Sequence, residues 1–525
     1  MFWKPIHSVF VAAASSIRTG IAASLLVTLS LSGSILSQQP KSLRDSMWKK
    51  VDEAVQKGLP KSAIEALGPI EQAALAEKAY PEAIKAIVKR VILEGQIEGA
   101  KPEEHIGRMK AEIAKAEPEM LPVMHGIQAQ FYWIYFEQNR WRFGQRTATT
   151  APPSEDFTTW DLPRLFAEID SHYTAALANE DQLRAIPIAT YDILFPKGTV
   201  PDTYRPTLFD FIAFSAINFY SAGEQAGAKS EDAFEIEASG PALGPIADFM
   251  AWKPNSTDTD SPKLKAIQLY QRLLTIHQED TDRSAYLDAD LGRLEFAHAD
   301  AFGEETASRT KAALKSFAEA NAKHELSATA RHRWAVVLQS ENELVEAREI
   351  AIQGKNAFPQ SVGGKLCANL ILDIEAKNIN VVTERVWTDP LPMLRVSYRN
   401  LSKAYFRAVK VDWNTRFTQD RWSPGTLNQS DRDQFVRQVP ALAWSADLPM
   451  TEDYRDATHD VPAPKELKSG YYFILASSNP DFSDNDNTIS TSDIWVSNLA
   501  IVLRQSFGSG KLEGFVLNAK TGEPI

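Results

Sequence analysis

At 525 residues the chain is long enough for about three domains. Its 44% hydrophobic and 24% charged residues are typical of globular proteins. The formal net charge of -12 at pH 7 argues against nucleic acid and anionic lipid surfaces as partners, because both attract basic proteins.

The first 37 residues have the layout of an export signal. Lys4 and Arg18 precede an uncharged apolar stretch at 21–36, small Ser37 follows, and the sequence then becomes polar. This order favours a secretory signal cleaved near Ser37, whereas the same stretch left uncleaved would be a membrane anchor. We therefore expect an exported protein that is periplasmic, bound in the cell envelope or extracellular. A membrane is expected as a partner only where the segment stays attached.

Residues 38–150 are predicted to form a first helical region. Apolar side chains between Ile84 and Ile92 recur at spacings of three and four, and Pro81 opens that helix. Each predicted helix is apolar on one side only, so the helices must stack on one another as hairpins. The aromatic run 131–143 (FYWIYFEQNRWRF) is expected at the centre of this region. Core packing is favoured there over the alternative of a stacking platform for a ligand.

Residues 151–377 are predicted to continue as helical hairpins. Amphipathic patterns indicate helices at 161–179, 204–220, 262–278, 282–301 and 305–322. Residues 328–360 fit a helical-repeat register of about 34 residues. In that register Ala335, Ala347 and Gly354 occupy the positions where the two helices of a tetratricopeptide-like hairpin touch, although two consensus aromatic positions are not aromatic. The pattern supports an α-solenoid interpretation.

Near Asn378 the hydrophobic period changes from that of a helix to two residues, which is the period of a strand. Alternating patterns predict strands at 379–387, 393–399 and 404–413, with a tight turn at 400–403. The polar stretch 414–465 is predicted to be a long insertion with little regular structure.

Two apolar runs at 471–477 and 494–503 are predicted to be strands joined by a polar loop. The second run is apolar on both faces and should be covered on both sides. We therefore predict that 378–507 forms an antiparallel β-sandwich with another domain against it, within an α+β multidomain fold.

Residues 508–525 are expected to begin a further β domain. Leu512, Phe515 and Leu517 indicate a strand, which is followed by a turn at 521–524. No partner strand follows in the sequence, and an isolated strand is not stable. The expectation is that this domain is truncated and that the natural polypeptide continues.

The sequence offers no recognisable chemical site. It lacks zinc-hydrolase, serine-hydrolase and phosphate-loop motifs, and its nine histidines occur without metal-ligand spacing. The single cysteine, Cys367, lies in an apolar helical run and is predicted to be a core residue, not a nucleophile. Asp481, Asp484 and Asp486 resemble part of a calcium loop without its glycine and distal glutamate, so a solvated turn is favoured over an ion site. We predict no catalytic, cofactor-binding or metal-binding residues and no enzyme activity.

Four stretches of the chain resemble the N-terminal part of bacterial alpha-2-macroglobulin-like proteins. They are 131–147 (FYWIYFEQNRWRFGQRT), 159–162 (TWDL), 204–211 (YRPTLFDF), and 470–504 followed by 514–525. The resemblance implies that helical segments precede a string of macroglobulin-like β-sandwiches, one closing at 494–503 and the next opening at 521–524. The family's reactive thioester uses a Cys-x-Glu-Gln motif, and Cys367 is not that cysteine because Ala-Asn-Leu follows it.

The resemblance also implies a function. The chain would be the N-terminal scaffold of an exported endopeptidase inhibitor that traps proteases, with target proteases as its partners. The alternative is a helical-repeat protein-interaction module of the cell envelope. Neither function requires nucleic acid, a small-molecule substrate or a cofactor.

Overall fold

A computed structural model of the chain describes residues 43–97, 99, 102–143, 156–228, 234–505 and 512–525. Helices precede the larger sheets, so the predicted α+β class is confirmed. The chain divides into two compact units, Met1–Phe317 and Ala318–Ile525. The predicted export signal at 1–37 lies outside the described residues.

The first unit is built from amphipathic helices with short connections. In chain order they are α1 (Leu43–Gln56), α2 (Pro60–Ala76), α3 (Tyr80–Ile97), α4 (Pro102–Ile113), α5 (Leu121–Gln138), α6 (Arg140–Phe143), α7 (Leu162–Leu177), α8 (Glu180–Arg184), α9 (Leu208–Tyr220), α10 (Gln225–Ala228), α11 (Ile246–Ala251), α12 (Pro262–His277) and α13 (Ser284–Asp300). Two short strands, β1 (Ile236–Glu237) and β2 (Ala301–Phe302), pair in parallel. The next helix, α14 (Thr306–Ala320), crosses the boundary between the units.

The aromatic helix α5 is part of the core of the first unit, as predicted. Tyr132 and Tyr135 are almost completely buried. The Trp133 ring lies 5.7 Å from that of Phe166 on α7 and 5.8 Å from that of Phe219 on α9. Aromatic rings bury large areas and pack in edge-to-face pairs, so this run ties three helices together.

The second unit begins with three packed helices, α15 (Leu326–Ser340), α16 (Leu344–Ala357) and α17 (Val362–Glu375). Ala335 and Ala347 are fully buried in their shared core. A Cβ atom built on Gly354 would lie 2.6 Å from the Cys367 Sγ atom, so α16 and α17 can approach this closely only because position 354 has no side chain. The three small residues of the predicted register therefore lie where the helices touch.

Two sheets follow the helices and pack face to face. The larger one has the strand order β4 (Val386–Trp387), β10 (Ile489–Val496), β9 (Gly470–Ser477), β6 (Lys403–Val411) and β7 (Leu442–Asp447), and the smaller one has β3 (Asn378–Val382), β5 (Met393–Arg399) and β8 (Ala457–Pro462). All neighbouring strands are antiparallel except β4 and β10. The buried side chains between the sheets include Trp387, Leu394, Val396, Tyr398, Phe406, Tyr472, Ile474 and Ile494. The first strand begins at Asn378, where the sequence period changes.

The outer face of the larger sheet is covered by a segment that was predicted to be irregular. Residues 414–465 contain β7, β8 and two further helices, α18 (Trp413–Gln419) and α19 (Gln429–Arg437), so that prediction is wrong. The side chains of Asp412 and Asn428 cap these helices by accepting hydrogen bonds from backbone amides. The helices are only seven and nine residues long, which is why their periodic pattern is weak in the sequence. Their contacts close a second core formed by Val409, Phe435, Tyr471, Phe473, Leu475 and Phe482.

The apolar run at 494–503 is not one strand, as was predicted, but parts of two. β10 ends at Val496, and β11 (Leu499–Gln505) pairs with β12 (Leu512–Asn518) as a separate antiparallel hairpin. The break lies at Ser497, whose Oγ atom accepts a hydrogen bond from the Leu499 amide. The predictions that this run is covered on both sides and that the last strand lacks a partner are therefore wrong.

Candidate interaction surface

The hairpin β11–β12 presents a contiguous exposed apolar surface in the second unit. Ile501 is paired with Val516 and Leu503 with Gly514, so these residues share one face of the hairpin. We call this the apolar face; its large side chains, 41% to 67% exposed, are Leu499, Ile501, Leu503, Leu512 and Val516. Contiguous exposed apolar residues of this kind mark interaction sites, whereas single ones do not.

The charges of the hairpin lie on its opposite face. Arg504 and Glu513 are directly opposed across the two strands, next to Val502 and Phe515. Both of these apolar side chains are also about half exposed, at 50% and 53%. One face of the hairpin is therefore apolar and uncharged, and the other carries both apolar and charged side chains.

One edge of the hairpin is open. Among the described residues, β11 pairs only with β12, which leaves its other edge free over seven residues. Elsewhere in the unit, β4 is two residues long and β8 ends at Pro462, and both features discourage strand addition. The β11 edge has no proline and one charge, Arg504, so its sequence gives little such protection.

Cys367 lies where the sequence predicted, in a core. It is fully buried against α15, and its Sγ atom is 3.5 Å from the Ala328 carbonyl oxygen. Burial raises the pKa of the thiol to about 12. A thiol with this pKa is protonated at neutral pH and is a poor nucleophile.

We expect Cys367 to resist thiol reagents in the native protein. At pH 8 Ellman's reagent should leave the folded chain unmodified and should titrate one thiol per chain after denaturation, because the sequence holds a single cysteine. The absorbance of the released thiolate measures both states. Rapid labelling of the native chain would show that Cys367 is accessible and ionised.

The three aspartates of the polar loop do not converge on one point. Asp481 accepts hydrogen bonds from Ser483, Asp484 pairs with Arg432, and Asp486 pairs with Lys377. Within the part of the chain that the structure describes, no group of three or more His, Cys, Asp or Glu side chains is arranged to hold a metal ion. The loop is therefore a turn held by local hydrogen bonds and ion pairs.

The sequence analysis missed a buried histidine between two carboxylates. His277 at the end of α12 places Nε2 2.8 Å from Asp210 Oδ1 and Nδ1 2.6 Å from Asp280 Oδ2. Burial opposes the charge, yet the hydrogen bonds and charges of Asp210 and Asp280 raise the pKa of His277. Asp210 also completes the capping box of α9 with Thr207, so its carboxylate is held on both oxygens. The hydrogen bonds of His277 join α9 to α12 and leave neither of its ring nitrogens free for proton transfer.

A second histidine pair lies between α5 and α7. The Nδ1 atoms of His125 and His172 are 2.8 Å apart, and burial, the neighbouring His125 and Lys110 lower the pKa of His172 to about 4. At neutral pH the two rings are therefore uncharged and share one hydrogen bond. Neither histidine cluster is signalled by sequence spacing, because 67 residues separate Asp210 from His277 and 47 separate His125 from His172.

Among the described residues, no helix combines the length and the apolarity needed to cross a membrane. Comparisons of the chain with protein-family models, with curated proteins and with solved structures returned no match.

Proposed function

We propose that the chain is the non-catalytic N-terminal scaffold of an exported alpha-2-macroglobulin-like protein that inhibits endopeptidases by trapping them. The observation that carries the proposal is the two-layered β unit at 378–496, which is preceded by helices and followed at once by the exposed hairpin β11–β12. The antiparallel two-layered form expected of a macroglobulin-like sandwich supports the proposal.

Contacts within the second unit support a scaffold that holds its shape. The Asn400 side-chain amide donates to the Ile374 carbonyl at 2.8 Å and to the Ala376 carbonyl at 3.0 Å, which fastens the β5–β6 turn to the end of α17. Arg455 donates to the Asn342 carbonyl in the α15–α16 turn at 2.7 Å. These bonds link the β layers to the helices at two separate points, so the helices brace the sheets.

The test compares active and inactivated target enzyme. The polypeptide encoded by the complete natural reading frame is mixed with an endopeptidase, or with the same enzyme blocked at its active site, and each mixture is separated by size. Trapping begins with cleavage of the trap, so only the active enzyme should co-elute with the polypeptide. Co-elution of both forms would indicate simple binding, and co-elution of neither would contradict the proposal.

A second candidate function is a protein-interaction module of the cell envelope. It is favoured by apolar side chains exposed on the helices of the second unit, among them Val345, Val362 and Leu372. Under this alternative the helices would bind an envelope protein and the β layers would only support them. A stable, specific partner from envelope extract, with proteases unaffected, would favour it over trapping.

A further inference from the structure

We propose that two copies of this chain associate through the hairpin β11–β12, with the apolar face of one copy packed against the apolar face of the other. This inference does not rest on the proposed function, since a trap and an interaction module could each be dimeric. It follows from the area and the charge pattern of that face.

The area of the apolar face is at the lower limit of what a specific dimer needs. Its five large side chains, each 41% to 67% exposed, present roughly 500 Å² of surface. Two such faces in contact would bury roughly 1,000 Å², which is where specific interfaces begin. We therefore expect a dimer of modest affinity and not an obligate one.

The charge pattern of the hairpin suits contact with its own copy. A two-fold axis brings each face against itself, so any charge on the contacting face would meet a like charge nearby. The apolar face has none among its described side chains, because Arg504 and Glu513 lie opposite each other on the other face. Two copies can therefore meet without burying a charge.

The test is the sedimentation of the purified chain over a dilution series. Between about 1 and 100 µM, the range expected for a small interface, we expect the mass to rise from 58.4 kDa toward twice that value. Ile501→Glu should raise the dimer dissociation constant at least about tenfold, because it places a carboxylate in the apolar contact. Leu512→Glu, on the other strand, should act in the same way.

The matched control is Leu372→Glu on α17. Leu372 and Ile501 are equally exposed, at 67%, so both substitutions replace the same amount of apolar surface by a charge. The control should leave the dissociation constant unchanged. Circular dichroism of all three variants should match that of the parent chain, since each change is at an exposed position.

Salt provides an independent readout. The copies repel each other through a net charge of -12, so added sodium chloride should tighten an apolar dimer and would weaken one held by ion pairs. A monomer at every concentration, a dimer insensitive to Ile501→Glu, an equal effect of Leu372→Glu or weakening by salt would each overturn the proposal. So would a monomer in which another segment of the polypeptide protects the β11 amides from hydrogen exchange.

Discussion

Replacing Asp210 by alanine is expected to lower the free energy of unfolding of the first unit by about 4 kcal/mol. The substitution removes the hydrogen-bonded anion beside His277, which is itself buried, and with it the side chain that closes the capping box of α9. Asp210 accepts hydrogen bonds from the His277 ring and from the Thr207 amide, so its removal leaves both donors without this partner. Hydrogen exchange of α9 and α12 peptides, measured across a urea titration, reports the loss in this unit alone.

The matched control for this prediction is Asp280→Ala, because Asp280 is the other carboxylate bound to His277. Its side chain is 44% exposed, so water can replace it and the loss should be about 1 kcal/mol or less. Equal losses in the free energy of unfolding for the two variants would show that the buried contact with Asp210 stabilises the unit no more than the exposed contact with Asp280.

The pH dependence of stability should reveal the contribution of His277. The pKa of His277 is raised in the folded chain, so its contribution is fully present below the unfolded value of about 6.5 and is lost as pH rises through the folded value. The parent chain should therefore lose stability in α9 and α12 as pH rises from about 6.5 through the folded pKa, and Asp210→Ala should lose less, because only Asp280 then raises the pKa of His277. A parent chain whose α9 amides become better protected as pH rises would contradict this sign.

Replacing Arg416 by methionine is expected to uncover the outer face of the larger sheet, at a cost of about 3–5 kcal/mol. Arg416 is 5% exposed and lies at the centre of the segment that covers this sheet. Its Nη1 atom donates to Asp431 at 2.9 Å, its Nε donates to the Pro424 carbonyl at 3.0 Å, and its Nη2 donates to the Thr426 carbonyl. One guanidinium therefore joins α18, the loop and α19, and methionine can replace its volume but none of its donors.

The readout is hydrogen exchange of β9 together with binding of a dye that reports exposed apolar surface. Both should increase in Arg416→Met, because Tyr471 and Phe473 lie beneath the cover. Arg395→Met is the control, since Arg395 is 67% exposed and its ion pair with Asp460 lies at the surface. No change in β9 exchange in Arg416→Met would mean that the cover is held by its aromatic contacts alone.

Long elements with a clear hydrophobic period could be predicted from the sequence. Short elements, and elements held by residues far away in the sequence, could not. The aromatic helix α5, the change of period at Asn378 and the core position of Cys367 are each encoded by neighbouring residues. The helices α18 and α19 are held by Arg416 and by aromatic contacts with a strand more than 30 residues away, so their own pattern is weak. The break at Ser497 was missed because the apolar run resumes at Leu499 after only two polar residues, Ser497 and Asn498.

The candidate surface and the histidine clusters depend on pairing that local patterns do not specify. The apolar residues in 499–505 and 512–518 predict strands, yet only their mutual register shows that Ile501 and Val516 share an exposed face. In the same way, Asp210 and His277 become partners only when α9 and α12 pack.

The most direct test of the proposed trapping function is the ratio of two rates. An endopeptidase is incubated with the polypeptide from the complete natural reading frame, and its hydrolysis of a small peptide substrate is compared with its hydrolysis of a large protein. A trap encloses the enzyme without blocking its active site, so peptide hydrolysis should persist while protein hydrolysis falls at least about tenfold. Equal retention or equal loss of the two rates would contradict trapping.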